Sequence, residues 1–169
     1  MPTKKALKIF VDGYLLNKEH QGTKTYIKEI YKEFAKQNPS VLIYIGCFKD
    51  QSIEDEFSKY NNIKFIYFTQ SKRILRMLSE IPKIITHYKF DYAHFQYVIP
   101  FFKSKSCKYI VTIHDILFND FPQFFSLSYR IKRNFLFRIS AKKSDVLLLP
   151  ICLKLLKACD VPPDLMCSG

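Results

Sequence analysis

The sequence predicts an α/β fold, a Rossmann-like layer sandwich built as a single domain around a mostly parallel sheet. Two observations carry this. Short apolar runs rich in β-branched and aromatic residues alternate with segments whose apolar positions repeat every three or four residues, and strands alternating with helices give parallel sheets with right-handed crossovers. The length of 169 residues allows one sizeable hydrophobic core and demands no second. A composition of 48% hydrophobic and 25% charged residues is that of a chain that folds, not of a disordered one.

Strands buried on both faces are expected at residues 7–11, 41–45, 63–68, 109–113 and 146–149, each apolar and bounded by polar or turn residues. Residues 91–95 read as a weaker strand. Between the first two strands, Tyr26, Ile27, Ile30, Tyr31, Phe34 and Ala35 fall on one side of a helix that starts at Gly22-Thr23 and stops at Asn38-Pro39. About one helical turn is expected within 54–60. Residues 71–88 repeat the helical pattern through Ile74, Leu75, Leu78, Ile81, Ile84, Ile85 and Tyr88, with Pro82 expected to kink the helix or restart a turn. A last helix over 126–143 has Leu127, Ile131, Phe135 and Ile139 among its apolar positions. From Pro150 the periodicity stops, and residues 150–169 hold three of the five cysteines and a Pro162-Pro163 pair; a poorly determined tail is expected there. No internal repeat or low-complexity tract is present.

With 27 Lys and Arg against 15 Asp and Glu, the net charge is +12, which favours anionic partners: phosphate-bearing small molecules, an acidic membrane surface or nucleic acid. The basic residues concentrate in Arg130, Lys132, Arg133, Arg138, Lys142 and Lys143, a run without an acidic residue. A solvated helix face is the leading reading of that run, and an anionic membrane or a nucleic-acid backbone the other. The cysteines at 47, 107, 152, 159 and 167 lack the paired spacing of zinc or redox motifs and read as reduced thiols of a cytosolic protein. Asp12 and Gly13 interrupt the amino-terminal apolar run before it could serve as a signal peptide. No segment approaches the ~20 apolar residues of a bilayer span.

In a parallel sheet the carboxyl ends of the strands share one edge, so the residues just after each apolar run are the candidate ligand-binding groups. After the first strand come Asp12 and Gly13, then the helix start Gly22-Thr23-Lys24. A helix start offers free N–H groups suited to a phosphate or a sugar hydroxyl, although Gly22 could equally relieve a tight turn. After the weaker strand come His94 and Gln96, and taken singly His94 reads as a satisfied core histidine. After Val111-Thr112-Ile113 come His114 and Asp115. A carboxylate next to an imidazole at a strand end can orient it and move its pKa, which suits proton transfer or hydrogen-bond donation; the other reading of Asp115 is a turn cap. The dinucleotide fingerprint G-x-G-x-x-G is absent and no metal-ligand spacing links His94, His114 and Asp115, so no cofactor and no metal are expected. No Gly-x-Ser-x-Gly elbow is present either.

These residues resemble a family. Lys8 to Gly13, the Gly22 to Tyr26 helix start, Asp91 to Phe95, Tyr109 to Asp115, the Asp120 to Ser126 loop and Ala141 to Val146 follow in the order seen in the amino-terminal domain of retaining GT-B glycosyltransferases of family 4. The resemblance covers residues 8–149 and implies half of a GT-B fold, the acceptor-side half. It implies an enzyme that moves a sugar from a nucleotide-sugar donor to a glycan or lipid-linked acceptor, as in polysaccharide biosynthesis, with a peripheral contact at the inner membrane face and no nucleic-acid partner. On it, Gly13, Gly22, Thr23 and Lys24 approach the sugar or phosphate, His114 hydrogen-bonds the transferred sugar near the reacting carbon, Asp115 supports that strand end, and His94 and Gln96 border the acceptor.

Family members continue with a serine-containing segment and a second Rossmann domain that holds the nucleotide and a pair of glutamates about two helical turns apart. Here Pro150-Ile151-Cys152 follows instead. The expectation is therefore a domain inactive alone, from a truncated or frameshifted reading frame or from a split enzyme. The alternatives are a non-enzymatic basic module binding an anionic membrane or nucleic acid, and a product without activity.

Overall fold

The computed structural model describes residues 6–18 and 22–149. The expected tail at 150–169 lies outside the described residues. The strands are β1 (Lys8–Asp12), β2 (Leu42–Cys47), β3 (Ile63–Tyr67), β4 (Tyr92–Gln96), β5 (Lys108–Thr112) and β6 (Val146–Leu148). They form a six-stranded sheet in the order β3-β2-β1-β4-β5-β6, and the registered pairs β1–β2, β2–β3 and β5–β6 are parallel. The helices are α1 (Gly22–Gln37), α2 (Gln51–Phe57), α3 (Arg73–Leu75), α4 (Ile81–Tyr88), α5 (Leu117–Asp120) and α6 (Leu127–Lys143). This is the Rossmann-like α/β fold that the alternation of apolar runs predicts. The segment read as a weak strand forms β4, between β1 and β5 in the order. The chain divides into two compact units, residues 1–93 with 100–107 and residues 94–99 with 108–169.

In the first unit the core is built on Phe10, Ile43, Ile45, Phe57, Ile81, Ile85 and Phe90, all buried; each such side chain contributes about 1.5–3 kcal/mol on leaving water. Thr23, Ile27, Tyr31 and Ala35 recur every four residues on the buried side of α1, as the amphipathic spacing requires. Asn38 ends that helix by donating its side-chain amide to the Phe34 carbonyl at 3.0 Å. Arg76–Glu80 is a π-type segment between α3 and α4. Pro82 has no N–H to give to Leu78, and the backbone widens ahead of it so that the Ile81 N–H donates to the Arg76 carbonyl. The proline thus restarts the helix where the sequence places a defect.

The second unit contains the end of β4, then β5, α5, α6 and β6. Phe95 and Tyr109 pack at 5.2 Å between ring centroids, and Phe118 packs edge-on against Phe137 at 5.6 Å. Ser140 on α6 accepts from the Ile99 N–H at 3.2 Å and donates to the Leu136 carbonyl at 2.8 Å. One device recurs in both units: an aspartate just before a strand binds a backbone N–H in the first two residues of the neighbouring one. Asp91 accepts from the Lys8 N–H at 2.8 Å, and Asp145 accepts from the Tyr109 N–H at 2.6 Å. Each thereby fixes register where the parallel ladder begins.

Candidate functional site

Side chains alternate across a strand, so His94 and Gln96 share one face of β4, and Thr112 and His114 share the matching face at the end of β5. The structure brings these four together. His94 Nε2 lies 2.7 Å from Thr112 Oγ1, His114 Nε2 lies 2.6 Å from Gln96 Oε1, and Gln96 Nε2 is 3.5 Å from His94 Nε2. An amide oxygen only accepts, so His114 carries its proton on Nε2 and donates it to Gln96. His94 Nε2 lies between the Thr112 hydroxyl and the Gln96 amino group, on a ring that burial keeps neutral. All four residues are buried. Burial, and then the neighbouring His114, lower the His94 pKa to about 4. Burial also lowers that of His114, against an opposing pull from Asp115. Two neutral imidazoles in one chain of hydrogen bonds present fixed dipoles and no competing charge.

Asp115 accepts from the Tyr97 hydroxyl at 3.1 Å. Tyr97 itself follows β4 with φ 66°, in the left-handed region, where a bulky residue is an outlier and strain collects at functional positions. Its N–H reaches the Thr112 carbonyl at 2.8 Å, and its ring lies 5.3 Å from that of His114 and stacks on Phe137. Tyr97 and Thr112 are members of this cluster that sequence reasoning missed. Thr112 could have been found from the alternation with His114; a tyrosine carries no signal of a left-handed backbone.

The remaining predicted residues belong to the first unit. A Cβ on Gly13 would come within 2.6 Å of Ile45 Cγ2, and the Gly13 N–H donates to the Gly46 carbonyl at 2.8 Å. Close approach of β1 to β2 therefore explains this glycine. At Gly22 nothing lies within 4 Å of an added Cβ, and no glycine has positive φ among the described residues, so neither crowding nor a strained turn demands glycine; the start of α1 is open. Thr23 is buried one residue further on, and the Lys24 charge acts on Asp50.

Asp12, at the end of β1, is also in this unit. Burial raises its pKa to about 6 although Arg73, Arg76 and the Tyr14 N–H pull it down. A cavity of about 300 Å³ follows the ends of β1, β2 and β3, lined by Tyr14, Lys18, Phe48, Ser71, Arg73 and Arg76. Arg76 is buried, donates to the Gln70 carbonyl at 2.9 Å and lies 5.0–5.4 Å from the rings of Phe68, Phe48 and Tyr14. Neither arginine was singled out from the sequence, because residues 71–88 were read for their apolar positions alone, although both lie shortly after a strand. Cys47 is buried and its thiol is pushed up to about 12, which removes it as a nucleophile. Among the described residues no three His, Cys, Asp or Glu side chains gather as metal ligands, and no helix is long and apolar enough to cross a membrane.

Residues 20–150 match the family model described as Glycosyltransferase Family 4. No curated protein matches the chain.

Proposed function

From the premise that this chain belongs to glycosyltransferase family 4, we propose that it is the acceptor-side, amino-terminal domain of a retaining enzyme that transfers sugar from a nucleotide-sugar donor to a glycan or lipid-linked acceptor. The observation that carries the site assignment is the Thr112–His94–Gln96–His114 chain of hydrogen bonds at the strand ends. Sugar transfer breaks a C–O bond and builds charge between a departing phosphate and an oxocarbenium-like carbon, so the enzyme needs dipoles fixed in advance rather than a titrating group. A neutral His114, held in place by Gln96, hydrogen-bonds a hydroxyl of the transferred sugar, and its ring is kept from turning as charge develops. His94 and Gln96 border the acceptor, Asp115 holds the segment through Tyr97, and the open start of α1 with Thr23 and Lys24 faces hydroxyl or phosphate oxygens. The donor's nucleotide and the carboxylates that assist its departure belong to a second Rossmann-like domain, because one wall of a cleft cannot position both reactants.

The test is transfer with a panel of nucleotide sugars, by this chain alone and together with a Rossmann-domain protein that co-purifies with it. The expected result is no turnover alone and transfer with retained anomeric configuration in the complex. His114→Ala is expected to lower kcat of the complex about 100-fold. Robust turnover by the chain alone would overturn the division of labour, and full activity of His114→Ala would overturn the site.

A further inference from the structure

Two arginines of the first unit are held where charge is costly. Arg76 is 2% exposed and Arg73 is half-buried, and their guanidiniums lie 5.4 and 4.9 Å from the centroid of the same Tyr14 ring. They are therefore close neighbours of like sign. Arg76 is partly satisfied, since its Nη1 donates to the Gln70 carbonyl at 2.9 Å and to the Ser71 carbonyl at 3.4 Å. Its Nε, and Nη2 of Arg73, are buried and have no acceptor among the described residues. The carboxylate that both arginines act on is Asp12, and its Oδ1 is buried without a partner as well. Folded interiors leave few such groups unpaired, and each one calls for an explanation. The cavity of about 300 Å³ that these arginines line has a wall fixed by Asn17, whose Nδ2 donates to the Phe48 carbonyl at 3.0 Å and whose Oδ1 accepts from the Phe48 N–H at 2.9 Å. That pair of bonds ties the turn after β1 to the loop after β2. Lys18 lines the cavity with the two arginines, and among the described residues no carboxylate does.

We propose that this cavity binds the phosphate group of a small phosphomonoester, held by the guanidiniums of Arg73 and Arg76 with Lys18 beside them. Three cations against the one carboxylate of Asp12 leave a surplus that a phosphate dianion neutralises and a single carboxylate does not. A guanidinium carries its N–H donors in one plane and so pairs with two phosphate oxygens at once. The two arginines thereby find acceptors for donors that the fold leaves over. A volume of about 300 Å³ lies at the small end of ligand cavities: it takes a phosphate and one small ring or polyol beside Tyr14 and Phe48, and it is too small for a nucleotide. The proposal does not depend on the sugar-transfer reading, since all of its residues belong to the first unit and none of the hydrogen-bonded His cluster takes part.

The test is calorimetric titration of the full chain at pH 7.5 with glucose 6-phosphate, glucose 1-phosphate and glycerol 3-phosphate, and with glucose and inorganic phosphate for comparison. At least one of the three esters is expected to bind one to one with a Kd below about 1 mM, inorganic phosphate to bind at least about tenfold more weakly, and glucose not to bind. Arg73→Gln removes one guanidinium without touching the bonds from Arg76 to the loop, and is expected to weaken binding of the ester at least about tenfold. Arg138→Gln makes the same change of charge at an exposed position of α6 and is expected to weaken it less than about twofold. Should Arg73→Gln not fold, Lys18→Gln, at an exposed position, takes its place, with an expected loss of about threefold. The proposal is overturned if none of the three esters binds, or if inorganic phosphate binds as tightly as they do, which would leave a site for the bare ion. It is overturned as well by equal losses in the cavity variant and in Arg138→Gln, which would assign the binding to the net charge of +12, or by undiminished binding in the cavity variant.

Discussion

Thr112 is fully buried and its hydroxyl pairs with His94 Nε2 at 2.7 Å, which makes it the cheapest place to test whether the hydrogen-bonded chain is rigid. Thr112→Val keeps the shape and removes the hydroxyl that pairs with this buried imidazole nitrogen. That change is expected to cost about 1–3 kcal/mol in urea unfolding, while Thr112→Ser, which keeps the hydroxyl, recovers most of it. Equal stability of the valine variant and the parent would mean that His94 does not use this bond. At this scale the strand-end logic goes far: His94, Gln96 and His114 are found from their positions after apolar runs, and they do meet. What the logic leaves out is the conformation that joins them. Tyr97 turns left-handed directly after β4 and holds Asp115 by its hydroxyl, so Asp115 reaches the cluster through a tyrosine whose backbone strain no local sequence pattern announces.

Between single residues and the sheet, the segment after β3 shows how one carboxylate organises an element. Glu80 accepts from the Thr69 N–H at 2.6 Å, the Thr69 hydroxyl at 2.8 Å and the Gln70 N–H at 3.2 Å. The same loop's Gln70 carbonyl receives Arg76 at 2.9 Å. Glu80→Ala is therefore expected to cost about 1–2 kcal/mol and to raise amide hydrogen exchange at Thr69 and Gln70 while that of β2 is unchanged; Glu80→Gln, which keeps an acceptor oxygen, loses less. Unaltered exchange at Thr69 would show that the loop holds without this carboxylate. Periodicity alone reads residues 71–88 as one helix with a flaw, and the flaw at Pro82 was legible because a missing N–H has a definite consequence. In α6 the same method finds the period but does not tell which side is buried. Leu127, Ile131 and Phe135 have helical spacing and point to water, while the buried side is held by Phe137, Ser140 and Ala141, two of them too small or too polar to be picked as core from sequence.

For the molecule as a whole, the α/β architecture was legible because alternation of strand and helix leaves few topologies. The protonation balance of its interior was not, since it depends on what surrounds each group after folding. Two buried groups oppose each other. His94 has its pKa lowered from 6.5 to about 4, so its unfolded form binds the proton more readily, and the stability present above pH 6.5 is lost as the pH falls toward 4. Asp12 has its pKa raised from 3.8 to about 6, so its folded form binds the proton more readily, and the stability it contributes below 3.8 is lost as the pH rises through 6. At about 1.4 kcal/mol per unit, each amounts to about 3 kcal/mol, and across pH 4–6.5 they largely cancel. Asp12→Asn removes one side of that balance. It mimics the protonated carboxyl and can still accept from the Tyr14 N–H. The variant is thus expected to be more stable than the parent by up to about 3 kcal/mol at pH 7.5, to lose this advantage as the pH falls, and to match the parent below about pH 4. Urea unfolding of both proteins at intervals from pH 4 to pH 7.5 measures the difference directly. If Asp12→Asn were instead destabilised at pH 7.5, the attraction of Arg73 and Arg76 would outweigh the cost of burying the charge, and Asp12 would be the counter-ion that keeps those two arginines beside the cavity after β3.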